Sequence, residues 1–221
     1  MRHPVKADKF FTAKEKEKIQ RTATHAEAGT IGQIAVAIVD QSSQYREAEL
    51  LGSIFLGSAL SLALTTIFFH GSVWFFIPMA FLFFFPFHLL FKAAPMLKAV
   101  FAGPGRMAKA VRERAIRTFY EKGLYKTKES TGVLFFLSLL ERKVWVLADK
   151  GIHGKIHQPT LNKLADMVSR GIQAGRASDA LCEAIAEMGA LLAAHYPAKG
   201  VPVDELPDEI ICEPGATCDT E

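Results

Sequence analysis

From Leu50 to Phe91 the chain contains no Asp, Glu, Lys or Arg, and only the turn His70-Gly71-Ser72 divides this run. The first half, Leu50 to Phe69, has twenty residues and the second, Val73 to Phe91, nineteen. Each matches the roughly 20 residues that an α-helix needs to cross about 30 Å of hydrocarbon. A buried helix pair in a soluble core would show an apolar stripe, whereas neither half has a polar face. The run therefore predicts a transmembrane helical hairpin over 50–91, made of spans 50–69 and 73–91.

A three-residue link leaves no room for a domain on the far side, so the flanks share one face of the membrane. The link has no Lys or Arg, while Lys92, Lys98, Arg106, Lys109, Arg112, Arg114 and Arg117 follow the second span. The positive-inside rule makes their side cytoplasmic. Met1 to Phe11 lacks the apolar core of a secretory signal, in agreement with a cytoplasmic start. Both termini are thus expected in the cytoplasm, with the chain a multi-pass protein of an inner membrane.

Ser53, Gly57, Ser61 and Thr65 recur every four residues along the first span. Such a seam lets another helix approach closely. Its partner is either the bulky second span or a second copy of the chain, which leaves a homo-oligomer open. Pro78 and Pro86 can kink the second span, and His88 lies near its cytoplasmic end. With no charged residue inside the run, His88 has no relay partner, which argues for an interfacial position over a transport role.

About 180 residues remain outside the hairpin, enough for one core of ordinary size. Residues 1–49 form its first segment and 92–200 its second. The net charge of +3 conceals a basic stretch after the hairpin and an acidic stretch over 201–221, read as a flexible, solvated tail. Cys182, Cys212 and Cys218 are too scattered for a zinc cluster and read as free thiols.

Thr12-Ala-Lys-Glu15 has capping-box spacing and opens a helix from about Ala13 to Gly29. Gln33 to Val39 is a β-branched run bounded by Gly32 and Asp40, hence a strand. Gly103-Pro104-Gly105 breaks the chain, and Met107 to about Gly123 returns to a helix. Arg106, Lys109, Arg112, Arg114 and Arg117 cover much of its polar side and are expected to meet anionic lipid headgroups, at about 1 kcal/mol per basic residue near the surface. Nucleic acid is the poorer partner for them. Val133 to Ser138 and Lys143 to Ala148, joined through Leu139-Leu140-Glu141-Arg142, predict an antiparallel hairpin. Two amphipathic helices follow, one with Pro159 in its first turn and one from Ser178 to Pro197.

Phe10-Phe-Thr-x-x-Glu15, Gly32-Gln-Ile-Ala-Val36, Thr131-Gly-Val-Leu-Phe-Phe-Leu-Ser-Leu-Leu-Glu-Arg-Lys-Val144, Ala148-Asp-Lys-Gly-Ile152 and Glu205-Leu-Pro-Asp208 together resemble the TPM domain of bacterial membrane proteins. The resemblance implies an α/β fold, a small mixed β-sheet with helices on both faces, here interrupted by the hairpin. It brings two functional precedents: metal-dependent acid phosphatases, and accessory or assembly proteins of membrane complexes.

For chemistry, Asp40 ends one strand and Asp149 follows another. Both are expected in a crevice beyond strand ends, where two carboxylates hold Mg²⁺ or Ca²⁺ and the metal clamps a phosphate. Glu141 and Arg142 supply further ligand-binding groups, Arg142 against phosphoryl oxygens. The bland alternative is that such acidic residues are turn formers bonded to local amides. No Ser, Cys or Asp lies in a recognisable activating motif. His153 and His157 are four apart, but Gly151, Gly154 and Pro159 oppose the helix a zinc pair would need. Gly103-Pro104-Gly105-Arg106 lacks the ending of a nucleotide P-loop. These features favour an accessory or scaffolding module of the bacterial inner membrane, with the bilayer and another membrane protein as partners. A divalent-metal-dependent phosphatase is the second reading and a transporter subunit the third.

Overall fold

The computed structural model describes residues 6–127, 129–198 and 211–213. Two compact units divide the chain, one from Met1–Ser43 with Ala108–Glu221 and one from Gln44–Met107.

In chain order the elements are α1 (Ala7–Phe10), α2 (Ala13–Glu27), β1 (Gln33–Val39), α3 (Arg46–Phe68), α4 (Val73–Ala93), α5 (Pro95–Ala102), α6 (Pro104–Glu121), β2 (Gly132–Ser138), β3 (Lys143–Ala148), α7 (Lys150–His153), α8 (Gln158–Gln173), α9 (Ala177–His195) and β4 (Ile211–Glu213). The capping box forms as its spacing predicts: Glu15 N–H donates to Thr12 Oγ1, and Thr12 N–H donates to Glu15 Oε2 at 2.8 Å. These bonds hold the Glu15 carboxyl below the usual carboxylate range, the Thr12 backbone amide contributing most.

The first unit is built on a mixed sheet in the order β3-β2-β1-β4. β1 runs parallel to β2 and to β4, and β3 is antiparallel to β2. A parallel pair needs a long crossover between its strands. The β1–β2 crossover contains α6, and the α3–α4 hairpin is inserted within that same connection.

Alternation along the strands builds two cores. Ile34, Val36 and Ile38 join Val133, Phe135, Leu137 and Val146 on one face, under α2, α8 and α9. Ala37, Val39, Leu134 and Phe136 take the other, under Val111, Ala115 and Phe119 of α6. Every residue of β2 is buried, which is why it reads as a continuous apolar run rather than an alternating one. Helices therefore lie on both faces of the sheet.

β4 falls inside the stretch expected to be a solvated tail. Ile211–Glu213 instead pairs with Ala37–Val39 and extends the sheet at its β1 side. The β-branched Ile211 amid acidic neighbours suits a short edge strand better than a solvated end. The remainder of the 201–221 tail, with Glu205-Leu-Pro-Asp208 and Cys218, lies outside the described residues.

In the second unit, α3 and α4 are long and apolar enough to cross a membrane. α3 begins four residues before the charge-free run, after Tyr45 in the left-handed region at φ 49°. The small-residue seam packs inside the hairpin. Ser53, Gly57, Ser61 and Thr65 are buried; a Cβ on Gly57 would meet the Phe84 backbone at 3.4 Å, and Ser61 Oγ donates to Phe76 O at 3.0 Å. Gly52 receives the ring of Phe91, which leaves no room for a Cβ there. Of the two partners the seam allows, the second span occupies it.

Candidate functional site

At the C-terminal ends of β1 and β2 the chain gathers a buried polar group. Asp40 leaves β1 with its carboxylate accepting from the Ala7 N–H at the start of α1, while its backbone oxygen accepts from Leu140 N–H at 2.9 Å. Two residues on, Ser42 N–H donates to Glu141 Oε1 at 3.0 Å, and Ser42 Oγ lies 2.8 Å from Ser138 Oγ. Ser138 Oγ in turn donates to Glu141 Oε2. Glu141 is buried.

This arrangement ties the chain leaving β1 to the β2–β3 turn, with both Glu141 oxygens engaged. A satisfied buried network of this kind rigidifies a connection. Arg142, next in the turn, has φ 51° and is exposed.

Asp149 lies at the other end of the sheet. Because β3 is antiparallel to β2, Ala148 pairs with Val133, whereas Val39 pairs with Ser138. At 3.3 Å per residue, Asp40 and Asp149 are separated along the strands by about 20 Å. The expected two-carboxylate metal site therefore does not assemble: both residues do follow strand ends, but the ends face opposite ways. Asp149 caps α7 instead, its Oδ1 accepting from Lys150 N–H at 2.7 Å, while Oδ2 is buried without a hydrogen-bond partner. Neither Mg²⁺ nor Ca²⁺ fits between the pair. Among the described residues no group of three His, Cys, Asp or Glu side chains is placed to hold a metal ion.

His153 ends α7 and His157 is the N-cap of α8, so no single helix presents both imidazoles. Cys182 is a buried free thiol.

On α6 the buried side carries Val111, Ala115, Thr118 and Phe119. Arg106, Lys109, Arg112 and Arg117 are exposed, and Arg114 is half-buried. Arg106 pairs with Glu47 at 3.1 Å and Lys109 approaches Glu113 at 3.8 Å.

Sequence reasoning missed one cluster. Since α3 starts at Arg46, its first turn carries Glu49, which is buried with Oε2 2.8 Å from Lys98 Nζ of α5 and Oε1 3.7 Å from His88 Nε2 of α4. His88 thus has a charged neighbour, contrary to the expectation from the charge-free run, because the helix is longer than that run. The ring of His88 stacks on Phe84 at 5.5 Å, and its Nδ1 is buried without a hydrogen-bond partner. The signal available in the sequence was Glu49 itself, one residue before Leu50.

Residues 105–191 match the family model described as the TPM domain. The chain carries a TPM domain. The matched stretch runs from the start of α6 through β2, β3, α7 and α8 into α9, and so includes Ser138, Glu141 and Asp149. Phe10 to Glu15 and Gly32 to Val36, also part of the resemblance, lie before it. The chain is similar in structure to the BA42 protein from the psychrophilic bacteria Bizionia argentinensis sp. nov., solved by NMR, with a TM-score of 0.58 and 19% identity. The likeness covers 93% of this chain and 96% of that one, and establishes the fold the two share. No curated protein matches the chain.

Proposed function

We propose that this chain is a membrane-anchored TPM-domain protein that serves as an accessory or scaffolding module of a membrane complex. Its α3–α4 hairpin lies in the inner membrane of a bacterium, with the flanking segments on the cytoplasmic side. The observation that carries the reading is the inside-out packing of the hairpin. Ser53, Ser61 and Thr65 are turned inward, while Phe55, Phe81, Leu82, Phe85 and Leu89 are exposed, and Trp74, next to the turn, is 88% exposed. Exposed apolar surface on this scale is unsuited to water and suited to acyl chains. A Trp beside the inter-helix turn fits the aromatic belt at a membrane boundary.

The exposed cations of α6 support a contact with anionic headgroups. Arg112 is the sharpest candidate, since Arg106 and Lys109 already face carboxylates.

The reading is tested by fractionating cells that express the full chain and purifying it in mild detergent. Retention in the membrane after alkaline wash, with a membrane protein held in stoichiometric complex, is the expected result. A chain released by the wash overturns the anchor, and an anchored chain that purifies alone overturns the accessory role.

The phosphatase reading survives only on a different residue set. Asp40 and Glu141 share one end of the sheet, the position where α/β folds bind ligands. Phosphate release with Mg²⁺ or Ca²⁺, compared between the natural chain and folded Asp40→Asn and Glu141→Gln variants, decides it: activity lost in both favours an enzyme, and equal background in all three removes that reading.

A further inference from the structure

Helix α5, which the charge pattern did not anticipate, has its polarity turned inside out. Its sequence is Pro-Met-Leu-Lys-Ala-Val-Phe-Ala, with one charge in eight residues. At 1.5 Å per residue it is about 12 Å long, too short to span a bilayer. The one charge points inward. Lys98 Nζ sits 2.8 Å from Glu49 Oε2, and the two side chains are only 13% and 11% exposed. Outward, Val100 is 77% exposed. Phe101 is also exposed, and its ring meets Phe91 at 5.3 Å and Phe55 at 6.4 Å.

A short helix lying in water would reverse this arrangement, since a lysine head solvates readily and a valine does not. The exposed face of α5 is also continuous with the hairpin surface, because Phe55 of α3 is itself exposed beside Phe101. Gly103, at φ 76°, then ends α5, and Pro104 opens α6. The chain therefore enters α6 only after this apolar element.

We propose that α5 is a third membrane element: an interfacial helix lying in the bilayer surface, with Val100 and Phe101 at the boundary between headgroups and acyl chains, docked on the hairpin by the Lys98–Glu49 ion pair. It rests on the reading of α3 and α4 as membrane spans. Interfacial helices bury their apolar face about 5–10 Å into that boundary, which suits an element whose single charge is already neutralised on its inner side. The ion pair fixes which face looks outward. Removing Lys98 takes from the buried Glu49 carboxylate its 2.8 Å cation and leaves the His88 imidazole at 3.7 Å, and the helix is then expected to turn or lift away.

The test uses the full chain in phosphatidylcholine–phosphatidylglycerol vesicles, carrying Cys182→Ala, Cys212→Ser and Cys218→Ser. A nitroxide is placed singly at Val100→Cys, at Leu82→Cys on the outer face of α4, or at Lys14→Cys on the exposed side of α2. Accessibility to oxygen, which concentrates in lipid, is compared with accessibility to a water-soluble relaxant. The expected result is an oxygen preference at position 100 several-fold above that at 14 and approaching that at 82, lost when Lys98→Gln is added while position 82 is unchanged. Aqueous exposure at 100 with lipid exposure at 82 overturns the proposal and spares the hairpin. Protection of position 100 from both relaxants overturns it in favour of a protein contact. Aqueous exposure at both 100 and 82 overturns the hairpin reading beneath it. Persistence of the lipid signal at 100 in the Lys98→Gln chain overturns the docking by the ion pair.

Discussion

The sheet unit and the hairpin unit are packed by opposite rules. In the sheet unit the largest side chains are innermost, with Phe135, Phe136 and Leu134 inaccessible between helices, while Lys109, Arg112 and Arg117 of α6 are exposed. In the hairpin the innermost positions belong to Gly52, Ser53, Gly57, Ser61 and Thr65 together with Phe91, while Phe55, Phe81 and Phe85 are outside. On the proposed membrane reading, one chain is patterned for two solvents. Where water is outside, burial of apolar area drives the packing. Where the surroundings are as apolar as leucine, close approach of small residues and a few interhelical hydrogen bonds replace that drive.

Truncating one aromatic side chain in each unit gives the strongest test of this contrast. Phe135→Ala empties a site closed on every side and is expected to lower the stability of the sheet unit by about 3–5 kcal/mol, read by denaturant unfolding. Phe85→Ala, on the outer face of α4, removes as many atoms but is expected to change the stability in detergent by less than about 0.5 kcal/mol, as surface substitutions do. A large cost at Phe85 would mean that protein rather than lipid covers that face.

Placing a charge on the same face sharpens the comparison. If the hairpin spans the membrane as proposed, Leu82→Arg puts a guanidinium among acyl chains, with an insertion cost of about 2.5–3.5 kcal/mol at a span centre. The fraction of the chain integrated into membranes is expected to fall accordingly, and unchanged integration would break the assignment of an outer lipid face.

In the sheet unit, Ser138→Ala removes the hydroxyl that bridges Ser42 and Glu141 and takes one donor from a buried carboxylate. The expected loss is about 1–3 kcal/mol. The loss should occur without change in membrane retention, because Ser42, Ser138 and Glu141 all belong to that unit.

The smallest effect concerns the start of α2. Thr12→Ala is expected to cost about 1 kcal/mol. Because the folded Glu15 carboxyl titrates below its unfolded counterpart, its contribution is fully present above the unfolded pKa and is lost as the pH falls through the folded one. Glu15→Gln is therefore expected to flatten the decline in stability across the acid range, measured by thermal unfolding at a series of pH values. An unchanged slope would detach the capping box from acid sensitivity.

The readings that held were those whose cause is local. The β-branched runs Gln33 to Val39 and Lys143 to Ala148 became strands with the expected bounds, and Thr12 with Glu15 capped α2 through bonds spanning only three residues. The candidate site was legible only in part. Asp40 and Asp149 are legible as strand-end acids and Glu141 as a polar group of the strand connection, but which of them meet depends on strand direction. An antiparallel β3 carries Asp149 to the end of the sheet opposite Asp40, and the β2–β3 turn brings Glu141 to Ser42 instead.

Sequence by itself determined the charge-free hairpin, its small-residue seam and the alternation that gives the sheet two buried faces, since each is written in residues that are neighbours along the chain. Only the tertiary structure decided that Ile211–Glu213 joins β1, that Glu49 reaches both His88 and Lys98, and that α5 turns its charge inward. Those contacts link positions far apart in the chain, and their geometry is set by strand register and helix packing, which no local pattern encodes.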